Sequence, residues 1–248
     1  MKDYRTSHAS ERIATQYENV VYRAGSYDDM LWKWERGILA REVADLKKIA
    51  ARVSLLDFAT GTGRIVCFLE SDVAEAVGVD NAEAMLVRAR SHVKKAELVL
   101  ADLTSQDVLM GKSFDVITAF RFFLNAQPEL RDAAFRVLAP KLRDEHSVFI
   151  FNVHGNLASH RFFTKLWYAL RGKRLNTMTV RQAKHMVEQH GLEVTHWYGF
   201  GVKPKFLYRL LGGRFMYTTD LLFSKIPGAK YVSYDLIFVC KRSGAHSG

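Results

Sequence analysis

The feature that most constrains this chain is an alternation that begins at Val53, in which short apolar runs are separated by stretches of helical pattern. The segments 53–59 (VSLLDFA), 75–80 (EAVGVD), 96–102 (AELVLAD), 114–120 (FDVITAF), 146–153 (HSVFIFNV), 192–200 (LEVTHWYGF) and 231–240 (YVSYDLIFVC) read as strands. Helices are expected over 64–70 and 82–93, after Pro128, a favoured first helical residue, and over 179–190. The last has Thr179 and Gln182 at capping-box spacing and Gly191 as a stop. Strands that alternate with helices predict an α/β fold: a doubly wound, seven-stranded, mainly parallel sheet.

A single domain over 1–248 is expected, divided into a helical cap (1–50), a ligand-binding half (51–155) and a substrate half (156–248). Within the cap, 8–50 reads as two helices rich in Tyr and Trp. The substrate half carries two basic, aromatic lid insertions, near 156–174 and 200–230. These aromatics either cover the ligand edge of the sheet or simply pack on the core.

Composition narrows the class. With 48% hydrophobic and 25% charged residues, the chain resembles ordinary soluble domains. It contains no apolar run of the roughly 18 residues that a membrane span needs. Its polar start, MKDYRTSHASER, lacks the apolar region of a signal peptide. Cys67 and Cys240 are too few for a disulfide framework or a zinc cluster, and both fall in apolar stretches, so buried reduced thiols, no metal and a cytoplasmic setting are expected. The net charge of +10 suits nucleic acid, a phosphorylated small molecule or an anionic membrane, although it also suits plain solubility. Oligomeric state is not legible.

The first strand runs into a glycine turn, LLDFATGTGRI (55–65), a layout that places a ligand beyond the carboxyl end of the strand. Counting Gly61 and Gly63 as the first two glycines of a dinucleotide fingerprint leaves Val66 at the third, and no Gly-Lys-Ser/Thr follows for a P-loop. NAD and ATP are therefore disfavoured.

The stretch Asp57, Phe58, Ala59, Thr60, Gly61, Thr62, Gly63 resembles motif I of the class I S-adenosylmethionine (SAM) methyltransferases, an acid followed by G-x-G-x-G. The resemblance covers about 50–155 well. It implies SAM as cofactor and a binding set of Asp57, Ala59, Thr60, Gly61, Gly63, Asp80, Asn81, Met85, Asp102, Leu103 and Phe120. Asp80, ending the second strand, falls where the family places an acid on the ribose hydroxyls; Met85 falls against the adenine, and Asp102 at the adenine amino group. Asp57 either orders the loop or reaches the ligand's ammonium through water. Ala59 departs from the pattern, and its methyl costs little provided that its φ stays negative.

Methyl transfer from a sulfonium is an in-line displacement, so positioning supplies much of the catalysis. A base is required where a hydroxyl must lose its proton. His154, in FNVHGN after the fifth strand, is the candidate base, and Arg121, in FRFFLN after the fourth, the second catalytic candidate. Phe122, Asn125 and Asn152 are candidate substrate contacts. Tyr17, Tyr22 and Tyr27 are candidates from the cap, with Arg23 placed to pair with a carboxylate. The Asn/Asp-Pro-Pro-aromatic segment of amino-directed nucleic-acid methyltransferases is absent after the fourth strand. The expected function is SAM-dependent O-methylation of a small molecule such as a sugar or glycan precursor. The alternatives are RNA methylation and a membrane-peripheral enzyme with a lipid-linked acceptor, both suggested by the basic aromatic lids.

Overall fold

The computed structural model describes residues 26–211 and 213–244. Tyr17, Tyr22 and Arg23 lie outside the described residues. The elements, in order, are α1 (Tyr27–Leu46), β1 (Ser54–Phe58), α2 (Arg64–Leu69), β2 (Glu75–Asp80), α3 (Glu83–Ala89), β3 (Glu97–Leu100), β4 (Val116–Ala119), α4 (Pro128–Leu138), β5 (Val148–Val153), α5 (Arg161–Leu170), α6 (Val180–Glu188), β6 (Leu192–Phe200), α7 (Lys205–Leu211), α8 (Gly213–Ser224) and β7 (Asp235–Arg242).

Each of the seven expected segments holds one strand, and together they form one sheet of order β3-β2-β1-β4-β5-β7-β6. The strands from β1 to β5 pair in parallel, while β7 runs antiparallel to both β5 and β6. Strand order reverses between β1 and β4, which opens a crevice beyond their carboxyl ends. The last strand starts later than its apolar run because Ala229–Val232 forms a 3-10 turn.

Alternation along the strands feeds both faces. Phe149 and Phe151 of β5 and Phe238 of β7 join Phe123, Phe135 and the buried side of α6 on one face. Val148, Ile150, Ile237 and Val239 meet α1 and α2 on the other. Fully burying each such side chain contributes about 1.5–3 kcal/mol. Cys240 is buried as expected, whereas Cys67 is only half-buried on the outer side of α2; both thiols are free.

α1 begins at Ser26, whose hydroxyl accepts from Asp29 N–H at 3.1 Å, with Asp28 and Asp29 at the positive end of the helix. Its apolar face carries two buried carboxylates. Glu42 accepts from Tyr198 Oη at 2.9 Å and lies 2.9 Å from His196 Nε2 on β6. Glu35 reaches the other way, accepting from Arg64 at 2.9 Å. The helix is thus tied both to β6 and to the start of α2, across the crevice. The lid insertions resolve into α5, α7 and α8, and α5 has no buried side chain at all. No helix among the described residues is long and apolar enough to cross a membrane.

Candidate active site at the carboxyl edge of the sheet

The glycine turn is held by buried hydrogen bonds. Asp57 accepts from Thr60 Oγ1 at 2.5 Å and from Thr118 Oγ1 at 2.7 Å, which stitches the turn to β4. Burial pushes its carboxyl up to about 6, although both hydroxyl bonds and Arg64 pull it down. Thr60 N–H donates to Val79 O of β2 at 3.0 Å. Of the two roles expected for Asp57, these contacts are those of the loop-ordering one.

The turn needs left-handed backbone. Gly61 has φ 58, and a Cβ built there meets nothing within 4 Å among the described residues. Gly63 has φ 78 and caps α2; its Cβ would lie 2.9 Å from Ala89 Cβ. It is therefore a packing glycine, not a wall of the cleft. Ala59 takes φ 54, so the condition under which its methyl would cost little is not met. A left-handed alanine costs roughly 1–2 kcal/mol, offset in part by its smaller unfolded-state entropy. Ala59→Gly is expected to stabilise the protein by about 0.5–1 kcal/mol. In denaturant titration the midpoint should rise with an unchanged slope; an unchanged or lower midpoint would contradict the strain.

A cleft enclosing about 1010 Å³, part of it open to solvent, lies over this turn. Its walls include Asp57, Ala59, Thr60, Gly61, Asp80, Asn81, Met85, Asp102, Leu103, Phe120, Arg121 and Phe122. Apart from Gly63, the whole expected cofactor set is brought together here. Asp80 accepts from Gly61 N–H at 2.7 Å and from Ala82 N–H at 2.9 Å, so one carboxylate joins the turn to the start of α3. Asp102 closes its own loop, accepting from Thr104 N–H at 3.0 Å and from Ser105 Oγ at 2.8 Å. Met85, Leu103 and Phe120 supply buried apolar walls of the same cleft. Two acids, glycine backbone and apolar side chains thus share one cleft.

Beyond β4 the chain turns sharply at Arg121, with φ 60. Ala59 and Arg121 are the two non-glycine residues with positive φ among those described, and both line the cleft. Such strain collects at functional sites when surrounding structure enforces it. Here the enforcing contact is Asn152 Oδ1, which accepts from Arg121 N–H at 2.6 Å. Asn152 Nδ2 lies 3.2 Å from Glu35 Oε1 and 3.4 Å from Asp235 Oδ1. Asn152 is thus fully buried and holds the turn; it does not present its amide to a substrate. Burial and the neighbouring Glu35 carboxylate raise the Asp235 carboxyl well above its usual range.

His154 follows β5, outside the walls of the cofactor cleft. Its Nε2 lies 3.5 Å from Asn125 Nδ2, which also donates to Arg121 O at 3.3 Å. Desolvation, then the charges of Arg121, Arg161 and Lys205, hold His154 well below the ordinary histidine range. Tyr27 differs from its expectation as a cleft-lining ring. It packs edge-on against Tyr208 at 4.8 Å and Tyr234 at 5.9 Å, because the left-handed Gly201 leaves room for its hydroxyl.

Sequence reasoning missed Arg64, Ile65, Val79 and Leu130 among the walls, and Glu35 and Asp235 behind them. A glutamate on the apolar face of α1 was the available signal for the last two.

The sheet order and the cleft at its carboxyl edge are those of the fold shared by class I SAM-dependent methyltransferases. Residues 55–143, from β1 past α4, match the family model described as a methyltransferase domain. No curated protein sequence matches the chain. Among solved structures, magnesium protoporphyrin IX methyltransferase from Synechocystis with bound S-adenosylhomocysteine superposes with a TM-score of 0.64 at 14% identity, covering 96% of this chain and 97% of that one. The CcbJ methyltransferase from Streptomyces caelestis gives 0.62 at 17% identity, over 96% and 99%. A SAM-dependent methyltransferase from Clostridium acetobutylicum gives 0.59 at 16%, over 94% and 98%.

Proposed function

We propose that the enzyme methylates a hydroxyl oxygen of a small molecule, such as a sugar or glycan precursor, in the cytoplasm. The reading rests on His154. A neutral imidazole beside Asn125 and Arg121, next to the donor cleft, suits a reaction in which the acceptor must shed a proton. SAM supplies the electrophilic methyl group. The residues proposed to hold it are the turn Ala59–Gly61, Asp80, Asn81, Met85, Asp102, Leu103 and Phe120, with Phe122 and Asn125 toward the acceptor. The two free thiols suit a reducing compartment.

A second reading, a membrane-peripheral enzyme with a lipid-linked acceptor, is favoured by α5. Phe162, Phe163, Leu166, Trp167 and Leu170 are all exposed, Leu170 at 80%. Phe206, Leu210 and Phe215 of α7 and α8 are exposed as well. Lys165, Arg171, Lys173 and Arg174 flank the α5 face, so charge complementarity points to anionic lipid.

One experiment has arms for both. SAM consumption is followed across free sugars, nucleotide sugars, phenols, amines and RNA, with products read by mass and by position of the methyl group. Methylation of oxygen supports the first reading; methylation confined to nitrogen, carbon or RNA overturns it. In parallel, the protein is sedimented with phosphatidylglycerol and with phosphatidylcholine vesicles. Binding to the anionic vesicles alone, lost in Lys173→Glu/Arg174→Glu, supports the second reading, whereas no vesicle binding or copurified RNA removes it.

A further inference from the structure

Among the described residues, the acceptor side of the site gathers three basic side chains, of which Arg161 has no ion-pair partner. Arg161 opens α5 and Lys205 opens α7, and both approach the ring of Tyr234, with guanidinium carbon and ammonium nitrogen each 5.3 Å from its centroid. His160 stacks on the same ring at 5.3 Å. Arg161 Nε is buried without a hydrogen-bond partner, as are Nδ1 of His154 and Nδ1 of His160. Asp28 lies 3.4 Å from Arg121 and 3.7 Å from Lys205, and is shared between them. Among the described residues, no carboxylate forms an ion pair with Arg161. Asp235, close by, lies 3.4 Å from Asn152 Nδ2 and makes no ion pair among the described residues.

Among the described residues, three cations therefore meet at the carboxyl ends of β4 and β5, with Asp28 as the carboxylate in ion-pair contact with two of them. Crowding like charges in a partly dry site is costly unless an anion compensates them. Lys205 still has 45% of its side chain accessible, so the cluster is open to a ligand. Arg121 belongs to the wall of the cofactor cleft, but Arg161 and Lys205 do not, which places the unbalanced charge on the acceptor's side rather than the donor's. A guanidinium with an unused edge beside an ammonium is suited to a planar or tetrahedral oxyanion.

We propose that Arg161 and Lys205 form an anion subsite that seats a phosphate or carboxylate of the methyl acceptor while its hydroxyl meets His154. The proposal deepens the O-methylation reading and rests on it. Neutral sugars would leave Arg161 without an anion and bind weakly.

The test titrates the S-adenosylhomocysteine-loaded full chain with glucose 1-phosphate, glucuronate and glucose by calorimetry, in the native sequence and in Arg161→Met, Arg161→Lys and Lys205→Met. At least one anion should bind about tenfold or more tightly than glucose. The two Met variants should lose that preference, and Arg161→Lys should retain part of it. The phosphate and carboxylate arms identify which anion is read. Retained S-adenosylhomocysteine affinity certifies that the variants are folded. The proposal is overturned if glucose matches both anions, if neither anion binds, or if the preference survives in both Met variants. It is equally overturned if the Met variants weaken S-adenosylhomocysteine by a similar factor, since the anion would then be the donor's own carboxylate. Oxygen methylation of neutral sugars would leave the parent reading standing while this one fell; methylation confined to nitrogen would remove the parent reading and the hydroxyl's place at His154, whereas the anion preference of Arg161 and Lys205 would still be read by calorimetry.

Discussion

Replacing His154 with Ala is expected to lower kcat on the order of 10²–10⁴-fold with SAM affinity unchanged, the range for removing a positioned general base. The native enzyme should also lose activity in acid, because only the neutral imidazole accepts a proton. His154 is depressed by burial and by Arg121, Arg161 and Lys205, so the acid limb of kcat/KM should lie below the ordinary histidine value of about 6.5. Activity then rises with pH through that depressed value and is flat at neutrality. Arg121→Met removes one of the depressing charges and should move the limb upward, although its own contacts in the cleft will lower the rate as well. A structural role would predict a different pattern: reduced stability, no change in the limb and recovery in His154→Gln. Full turnover by His154→Ala with every accepted acceptor would sink the base.

Much of the fold was legible because its determinants are local. A strand such as FDVITAF declares itself by composition and length, and the acids Asp80 and Asp102 are found simply by asking which residue ends each strand. The parts that were not legible depend on contacts between strands far apart in the chain. Ala59 takes a positive φ because Asp57 anchors Thr60 from one side and Val79 O from the other, a constraint that exists only once β1, β2 and β4 are paired. Arg121 is forced left-handed by Asn152, 31 residues away. Read alone, FNVHGN offers Asn152 as a polar group near a ligand, whereas in the fold its amide is consumed behind the site. Tyr27 misled for a similar reason: an aromatic in a cap segment can face the ligand or the lid, and the space left by Gly201 decided for the lid. The converse holds for α5, whose amphipathic pattern was plain but whose apolar face has no covering element among the described residues.

Asp80→Ala is expected to weaken SAM binding by about 1.5–3 kcal/mol, or roughly ten- to 150-fold, the value of a charge-assisted hydrogen bond to the ribose. A carboxylate has about four acceptor positions, so its bonds to Gly61 N–H and Ala82 N–H are compatible with ribose hydroxyls on the same oxygens. The alanine variant loses both functions at once. Asp80→Asn separates them. Its amide keeps one carbonyl oxygen but turns an NH₂ toward either Gly61 N–H or Ala82 N–H, setting donor against donor, so it should recover little affinity. A ribose contact predicts that 2′-deoxy-S-adenosylhomocysteine binds more weakly than S-adenosylhomocysteine to the native protein and about equally to Asp80→Ala. Loss of the turn alone predicts the same ratio for the two ligands in both proteins. Calorimetry with the two ligands therefore decides between them, and unchanged affinity for S-adenosylhomocysteine in Asp80→Ala would remove Asp80 from the donor site altogether.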